Sequence, residues 1–256
     1  MLNAYAGTEN RVFPEGFDPS KRQRPTDPVM KLTPFCAAFV VSALSVSIAP
    51  KGGCQTDSRT VNLIRNIPFT ITAPGDYRLA KDLSISANEA AITVLDTANV
   101  VIDLNDHTLA NTATAGIGIA VEGSDFVTIK NGTVYGFGYG VEFDANSENT
   151  VVKKVTLAND GIGINTAADK STIEGCFMSG TGIGSGIALA PNTTGVLAKN
   201  NQIDGFSYGI QSAAGSESKY NYNRISSCNV GLYVYSTDEY IGNVFTSCSV
   251  NIQQAN

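Results

Sequence analysis

The sequence has no tryptophan, a single histidine and few charged residues, which make up 16% of its 256 residues. It also has no long run of lysine or arginine, and its 23 acidic residues outnumber its 17 basic ones. Proteins that bind the nucleic acid backbone need a concentrated positive surface, so this composition argues against nucleic acid as a partner. A hydrophobic fraction of 43% is enough for one domain with a substantial core.

Long amphipathic helices and metal-binding motifs are missing as well. The 25 glycines, with many asparagine, serine and threonine residues, suit short strands and tight turns. The five cysteines and the histidine do not have the spacing of a metal site. We therefore predict an all-β protein without a metal centre of the cysteine–histidine kind.

The first 65 residues differ from the rest. Residues 1–29 have mixed charge and no hydrophobic periodicity, which predicts a disordered extension. Residues 30–50 have the layout of a signal peptide, because their 15-residue apolar stretch is shorter than the roughly 20 residues of a membrane-spanning helix. Residues 51–65 are predicted to be a linker. We therefore expect an extracytoplasmic protein, either secreted, periplasmic or on the cell surface.

Three features leave the processing of this segment open. Met30 is an alternative start of translation, because 29 residues before a signal peptide are unusual. Pro50 is unfavourable directly after a cleavage site, which leaves an uncleaved anchor as one alternative. A lipid on Cys54 is another, although Lys51 departs from the apolar position of a lipoprotein signal.

From about residue 90 the chain repeats itself. A small residue followed by aliphatic alternation recurs every 20 to 25 residues, and the first residues of the repeats are Ala91, Gly116, Gly140, Gly161, Gly186, Gly209, Gly231 and Asn251. A second series keeps the same order: Leu109, Val134, Leu157, Met178, Ile203, Ile225 and Phe245. A third series consists of the residues five positions before each member of the second series; it begins with Leu104 and ends with Tyr240.

None of these segments is long enough to bury its apolar face alone. Stacking each repeat on the next at about 4.8 Å pairs the strands in parallel and aligns equivalent residues. The sequence therefore predicts a parallel β-helix, a solenoid of about seven turns over residues 91–256, with an N-terminal cap and first turn over residues 66–90. A leucine-rich horseshoe is the main rival, but its leucine and asparagine spacing is absent.

Three stretches support a family resemblance: APGDYRLAKDLSI at 73–85, NVVIDLNDHTLAN at 99–111 and VTIKNGTVYGFGYG at 127–140. Residues 66–256 resemble bacterial right-handed parallel β-helix repeat proteins of the pectin-lyase-like superfamily. That superfamily includes polysaccharide lyases, hydrolases, epimerases, phage tailspikes and adhesins. The resemblance therefore implies a right-handed β-helix and favours a polysaccharide partner, but the fold does not specify the activity.

An acidic pair is the main catalytic candidate. Strand alternation directs Val141 and Phe143 inward and Glu142 and Asp144 outward, onto the face that forms the sugar groove in many enzymes of this superfamily. The two carboxylates are the only ones predicted in this outward column, and their side chains start about 6.6 Å apart, within the roughly 6.5–9.5 Å range of inverting glycosidases. The competing interpretation is that the two carboxylates are solvent-exposed residues of one turn and have no function.

Calcium is the one cofactor that the column suggests. Glu142, Asp144 and Asn165 supply only part of the six to eight oxygens that calcium prefers. The column contains no lysine or arginine to stabilise an enolate, and the chain lacks the clustered motifs of polygalacturonase-type hydrolases. These absences disfavour both assignments.

Further along the same column, Gln211, Tyr233 and Tyr235 are predicted to bind substrate together with Asn165, because aromatic faces beside amides suit sugar rings. Tyr208, Tyr222 and Tyr240 are placed in nearby turns. The alternative is that these aromatics cap the last turns of the solenoid.

Other conspicuous residues are given structural roles. His107 is expected to hydrogen-bond with Asp103 and Asp106. Cys228 and Cys248 are expected to stack in the core, as thiols or as a disulfide. A ladder of side-chain amides is predicted at Asn201, Asn223 and Asn243.

The sequence therefore predicts an exported β-helix protein that recognises polysaccharide, with glycoside hydrolase or lyase activity on an outward face as one version. The alternative is a non-enzymatic envelope or surface module, and whether the protein is an enzyme stays open. The last turn, ending in NIQQAN, has no obvious polar cap, so we expect it to be covered by another chain, by the N-terminal extension or by further residues. Self-association through it is the hypothesis that follows from the first of these.

Overall fold

The computed structural model describes residues 60–255 and shows strands joined by turns. Within these residues no helix is long and apolar enough to cross a membrane. The predicted disordered extension, signal peptide and most of the linker lie outside the described residues, as does Cys54.

The strands are β1 (Val61–Ile64), β2 (Phe69–Ile71), β3 (Gly75–Leu79), β4 (Leu83–Ile85), β5 (Ala90–Leu95), β6 (Val100–Asp103), β7 (Thr108–Asn111), β8 (Ile117–Glu122), β9 (Thr128–Tyr135), β10 (Tyr139–Phe143), β11 (Val151–Ala158), β12 (Ile162–Thr166), β13 (Thr172–Glu174), β14 (Phe177–Ser179), β15 (Ser185–Leu189), β16 (Leu197–Lys199), β17 (Gln202–Asp204), β18 (Tyr208–Gln211), β19 (Lys219–Asn221), β20 (Arg224–Ser226), β21 (Val230–Val234), β22 (Glu239–Ile241), β23 (Val244–Thr246) and β24 (Val250–Gln254).

All pairing between these strands is parallel, and it forms two sheets. The nine-strand sheet has the order β2-β5-β8-β10-β12-β15-β18-β21-β24, and the other fifteen strands form the fifteen-strand sheet. Each turn of the chain therefore adds one strand to the nine-strand sheet, which confirms a parallel β-helix. The solenoid has about eight turns, one more than predicted, because strands β1 and β2 already pair with the next turn.

The apolar ladders that define the core have the predicted register. Leu109 pairs with Val134, Val134 with Leu157, and the series continues in order to Phe245. The other ladder is also correct from Ile129 to Tyr240. Its predicted first residue is wrong, since Ile102 and not Leu104 pairs with Ile129. The connection between β6 and β7 is longer than in later turns, so counting five residues backward from Leu109 stops two residues short of Ile102.

The glycine register differs from the prediction in two turns. The paired row contains Gly118 and Gly163 rather than Gly116 and Gly161, as the flanking pairs of Gly140 show. A Cβ at Gly140 would lie 2.6 Å from Leu157 Cδ2, so this glycine faces the core and interrupts the alternation of the strand. A two-residue shift preserves which side chains face outward, but it changes which of them are neighbours.

The amide ladder is confirmed. Asn201 Nδ2 donates to Asn223 Oδ1 at 3.0 Å, and Asn223 Nδ2 donates to Asn243 Oδ1 at 3.1 Å. The same carbonyl oxygens accept the backbone N–H groups of Asn201 and Asn223, at 3.0 and 2.9 Å. Each asparagine therefore satisfies backbone groups of the turn next to it.

The predicted partners of His107 are wrong. Its Nδ1 lies 3.2 Å from Asp82 Oδ1 of the preceding turn, and the same oxygen accepts the Thr108 N–H at 2.9 Å. Asp103 Oδ1 instead accepts the Asn105 N–H and the Asn131 side-chain amide. His107 therefore has a structural partner, Asp82, in the preceding turn. The two residues are far apart along the chain, so the sequence did not indicate this contact.

Cys228 and Cys248 are free thiols in the structure; Cys228 is buried and Cys248 is partly exposed. Burial raises the pKa of the Cys228 thiol to about 11. Whether the two are oxidised in the protein stays a prediction.

Candidate functional site

The outward face of the nine-strand sheet carries all the predicted site residues. Four of them lie in one row that runs across successive strands, and we call this the central row: Thr93, Ala120, Glu142, Asn165, Ala188, Gln211, Tyr233 and Gln253. Asp144 and Tyr235 lie two residues beyond it on their own chain segments. The structure therefore places these candidates along one surface, parallel to the solenoid axis.

Glu142 is fixed by the strand around it. Its neighbours Val141 and Phe143 fill the core, so the carboxylate of Glu142 is directed outward and is half-buried. Asn165 Nδ2 donates to Glu142 Oε1 at 3.0 Å from the next strand. Within residues 60–255, Glu142 Oε2 has no hydrogen-bond partner and is available to a ligand.

Asp144 is much more constrained, because it stabilises the turn that follows β10. Its Oδ1 accepts the Ser147 hydroxyl at 2.7 Å, and its two oxygens lie 3.1 and 3.2 Å from the Gly123 N–H. Asn146 donates to it through both its backbone N–H and its side-chain amide, at 3.2 Å each. The two members of the predicted acidic pair are therefore unequal, and Glu142 is the one with a free oxygen.

A third carboxylate, Glu122, belongs to the same site. A pocket of about 440 Å³ is lined by Ala120, Val121, Glu122, Glu142, Phe143, Asp144, Asn165, Ala167 and Ala190. The statement that the column has only two carboxylates is therefore wrong. The two-residue register shift is the reason. Counting from Gly116 puts Ala120 beside Asp144, whereas the observed pairing puts Glu122 there.

The calcium prediction can be compared with the side chains of this pocket. No group of three or more acidic, histidine or cysteine side chains suited to a metal ion occurs among residues 60–255. Four hydrogen-bond donors already occupy the oxygens of Asp144. Calcium binding at this pocket therefore stays a prediction.

At the other end of the central row, three tyrosines form a cluster around Tyr233. Its ring centroid is 5.8 Å from that of Tyr208 and 5.8 Å from that of Tyr235, and both pairs are edge-to-face. A hydrogen bond with the Tyr235 side chain raises the pKa of the Tyr233 phenol above its usual value. A tyrosine is protonated at neutral pH with or without this shift, so the Tyr233 hydroxyl is a hydrogen-bond donor there.

Tyr208 is part of this cluster because it lies on β18, one strand before Tyr233, and not in a turn. The placement of the other two tyrosines near the cluster is wrong. Tyr240 lies on β22 of the fifteen-strand sheet, and Tyr222 follows β19 of that sheet. Both tyrosines are close to Tyr233 along the chain, although they lie at the other sheet.

The pocket and the tyrosine cluster are joined by polar and small side chains. Asn165, Ala188 and Gln211 lie between Glu142 and Tyr233, and Gln211 Oε1 accepts the Ser185 hydroxyl at 2.9 Å. Four steps between strands separate Glu142 from Tyr233, which corresponds to about 19 Å. This length suits a chain molecule lying along the axis better than a single small ligand.

Comparison with known proteins agrees with the fold. A family described as "Right handed beta helix region" matches residues 115–256. The chain belongs to this right-handed β-helix family. The family match shows that the β-helix is right-handed, and the strand pairing shows that it is a parallel solenoid. Both properties were predicted from the sequence. No curated protein matches the chain.

One solved structure with a similar fold is the alginate lyase from Paenibacillus sp. str. FPU-7. It is 14% identical to this right-handed β-helix protein with a TM-score of 0.51, and the match covers 75% of this chain and 89% of the lyase. At this identity the likeness concerns the fold alone. The pectin-lyase-like resemblance is confirmed at that level.

Proposed function

We propose that this protein recognises polysaccharide along the outward face of its nine-strand sheet. The observation that carries the proposal is the continuous central row, which joins the pocket at Glu142 to the cluster at Tyr233 over about 19 Å. Tyrosine rings pack against the C–H faces of sugars, and the amides of Asn165 and Gln211 can hydrogen-bond hydroxyl groups. The β-helix fold of a polysaccharide lyase supports the ligand class.

Binding is tested with the full chain on a panel of neutral and uronic-acid polysaccharides. We expect Tyr233→Ala combined with Tyr235→Ala to weaken binding of the best ligand about tenfold or more, which corresponds to about 1.4 kcal/mol, because the two rings supply most of the aromatic contact area at this end of the row. Tyr135→Ala, at an exposed tyrosine at the end of β9 in the other sheet, is the matched control and should bind as the wild type. Equal affinity of all three proteins would contradict the proposal.

Cleavage at the pocket is the second candidate function. It is favoured by the free oxygen of Glu142 at the wall of a 440 Å³ pocket that also holds Glu122 and Asp144. A hydrolase needs one carboxyl group as the acid and another as the base, and the predicted pair is Glu142 with Asp144. A lyase needs a base beside the uronate and a charge that stabilises the enolate.

Product analysis separates binding from cleavage. If the pocket is catalytic, Glu142→Gln and Asp144→Asn abolish product formation while the exposed-residue control Glu148→Gln retains it. Running each reaction with calcium and with a chelator tests the calcium prediction separately. If no polysaccharide gives products, the hypothesis of cleavage at the pocket is contradicted, whereas the proposal of polysaccharide binding is not affected.

The alternative is a non-enzymatic envelope or surface module whose faces bind another partner. It predicts no binding to any polysaccharide of the panel. Both versions share the proposal that the protein is exported, which fractionation of cells expressing the full chain tests directly. Recovery only in the cytosolic fraction would contradict export.

A further inference from the structure

The fifteen-strand sheet carries a second row of charged side chains on its outer face. In register these are Arg78, Asp103, Lys130, Lys153, Glu174 and Lys199. Ion pairs link neighbours at both ends of this charged row: Asp103 lies 3.9 Å from Arg78 and 3.6 Å from Lys130, and Glu174 lies 3.3 Å from Lys199. Charges of opposite sign therefore alternate, except in the middle.

Lys153 interrupts the alternation. It pairs in register with Lys130, a residue of the same charge, and like charges directly opposite on neighbouring strands are destabilising. Glu174 is its neighbour on the other side, but the ion pair of Glu174 is with Lys199. Within residues 60–255 the Lys153 ammonium has no carboxylate within 4.0 Å.

A second unpaired lysine lies next to it at a strained backbone position. Lys154 has φ +55°, in the left-handed region, where the equivalent residues of adjacent turns are Asn131, Gly175 and Asn200. Asparagine and glycine tolerate this conformation better than lysine does. The turn geometry alone therefore does not explain a lysine here, and its ammonium also makes no ion pair in the described part of the chain.

These residues surround a pocket of about 470 Å³, lined by Lys130, Asn131, Lys153, Lys154, Glu174, Gly175 and Asn200. The pocket is lined by three lysines and one carboxylate. Lys130 is paired with Asp103 and Glu174 with Lys199, so Lys153 and Lys154 are the two charged residues of the lining that make no ion pair within residues 60–255. The pocket is a local positive site on a chain whose net charge is -6. Its volume exceeds what one small oxyanion fills, and it offers two asparagine side chains beside the lysines.

We propose that this lysine pocket binds an acidic saccharide, with Lys153 and Lys154 holding a carboxylate of the sugar. Asn200, two turns after Lys154, can bind its hydroxyl groups, as can the side-chain oxygen of Asn131, one turn before. The Asn131 amide nitrogen already donates to Asp103 Oδ1. The site lies on the other sheet from the central row and does not rest on the proposed function. An anionic chain would be repelled by Glu122, Glu142 and Asp144 on that face, whereas the lysine pocket attracts it.

The test uses the full chain and trigalacturonate as the probe in titration calorimetry, with cellotriose as the uncharged counterpart. We expect trigalacturonate to bind, cellotriose not to bind, and affinity to fall as salt screens the lysines. Lys153→Gln and Lys154→Asn should each weaken binding about tenfold, the size of one charge-assisted hydrogen bond. Lys154→Asn is compatible with the fold because asparagine occupies the same position in neighbouring turns.

Lys219→Gln is the control, since this lysine is on the same sheet but pairs with Glu239 outside the pocket. The proposal is overturned if the two pocket variants bind trigalacturonate as tightly as the wild type does. Inorganic phosphate or sulfate binding with the affinity of trigalacturonate would overturn the assignment to an acidic sugar. Tyr233→Ala should leave this binding unchanged, which separates failure here from failure of the proposed function.

Discussion

At the scale of single residues, Asp160 is the most unusual side chain in the core. The register places it opposite Phe137, in the apolar column where Phe206 and Cys228 also lie. Its Oδ1 accepts the Phe137 N–H at 2.7 Å, but its buried Oδ2 has no hydrogen-bond partner in the described residues.

This environment makes the stability of the protein depend on pH. Burial raises the pKa of Asp160 from 3.8 to about 8, so the folded state keeps the proton over a range where the unfolded chain has released it. Folding therefore takes up a proton between about pH 4 and pH 8, and the free energy of unfolding falls as pH rises through that range, by up to about 1.4 kcal/mol per pH unit for this group.

We expect Asp160→Asn to remove this contribution, since asparagine is similar in size and its oxygen can still accept the Phe137 N–H. In urea denaturation the variant should gain stability relative to the wild type at pH 8 and show little gain near pH 4. Asp106→Asn, at an exposed carboxylate, is the control and should parallel the wild type. A constant difference between Asp160→Asn and the wild type from pH 4 to pH 9 would contradict the assignment.

At the scale of elements, the asparagine ladder holds successive turns together. Asn223 is fully buried, and its amide donates to Ala198 O at 3.0 Å and to Asn243 Oδ1 at 3.1 Å. Removing it leaves two backbone groups of the preceding turn, Ala198 C=O and Asn201 N–H, without these partners, and each such buried group costs about 1–3 kcal/mol.

We therefore expect Asn223→Ala to lower the free energy of unfolding by about 2–4 kcal/mol, measured by chemical denaturation. Asn229→Ala, an exposed asparagine six residues later, should change it by less than about 0.5 kcal/mol. Equal effects of the two substitutions would show that the ladder is not a major source of stability.

At the scale of the whole molecule, the last described strand leaves an edge without a partner. Strand β24 pairs with β21 only, and its Val250 and Ile252 are 43% and 38% exposed. Unpaired N–H and C=O groups beside apolar side chains favour pairing with another strand. Self-association through this edge therefore stays our proposal.

Sedimentation velocity over a range of concentrations tests it. We expect association that weakens at least several-fold when Val250→Thr is combined with Ile252→Lys. Ile183→Lys, at an apolar residue that is 64% exposed but away from the edge, should associate as the wild type does. A monomer at every concentration, or equal weakening by the control, would rule out this edge.

The molecule also has two pockets of opposite charge, one on each sheet. The pocket at Glu142 on the nine-strand sheet is acidic, and the lysine pocket on the fifteen-strand sheet is basic. If both bind saccharide, they select different kinds, because the acidic pocket disfavours a uronate that the basic one attracts.

The sequence by itself determined the solenoid, its two main apolar ladders, the amide ladder and the outward direction of Glu142, Gln211 and Tyr233. Each of these follows from periodicity, because a parallel stack converts a spacing along the chain into a contact between turns. Only the tertiary structure decided which residues are neighbours across turns of unequal length. It brought Glu122 to the pocket, Asp82 to His107 and Asp160 into the core, since inserted residues shift the register in ways that spacing alone cannot resolve.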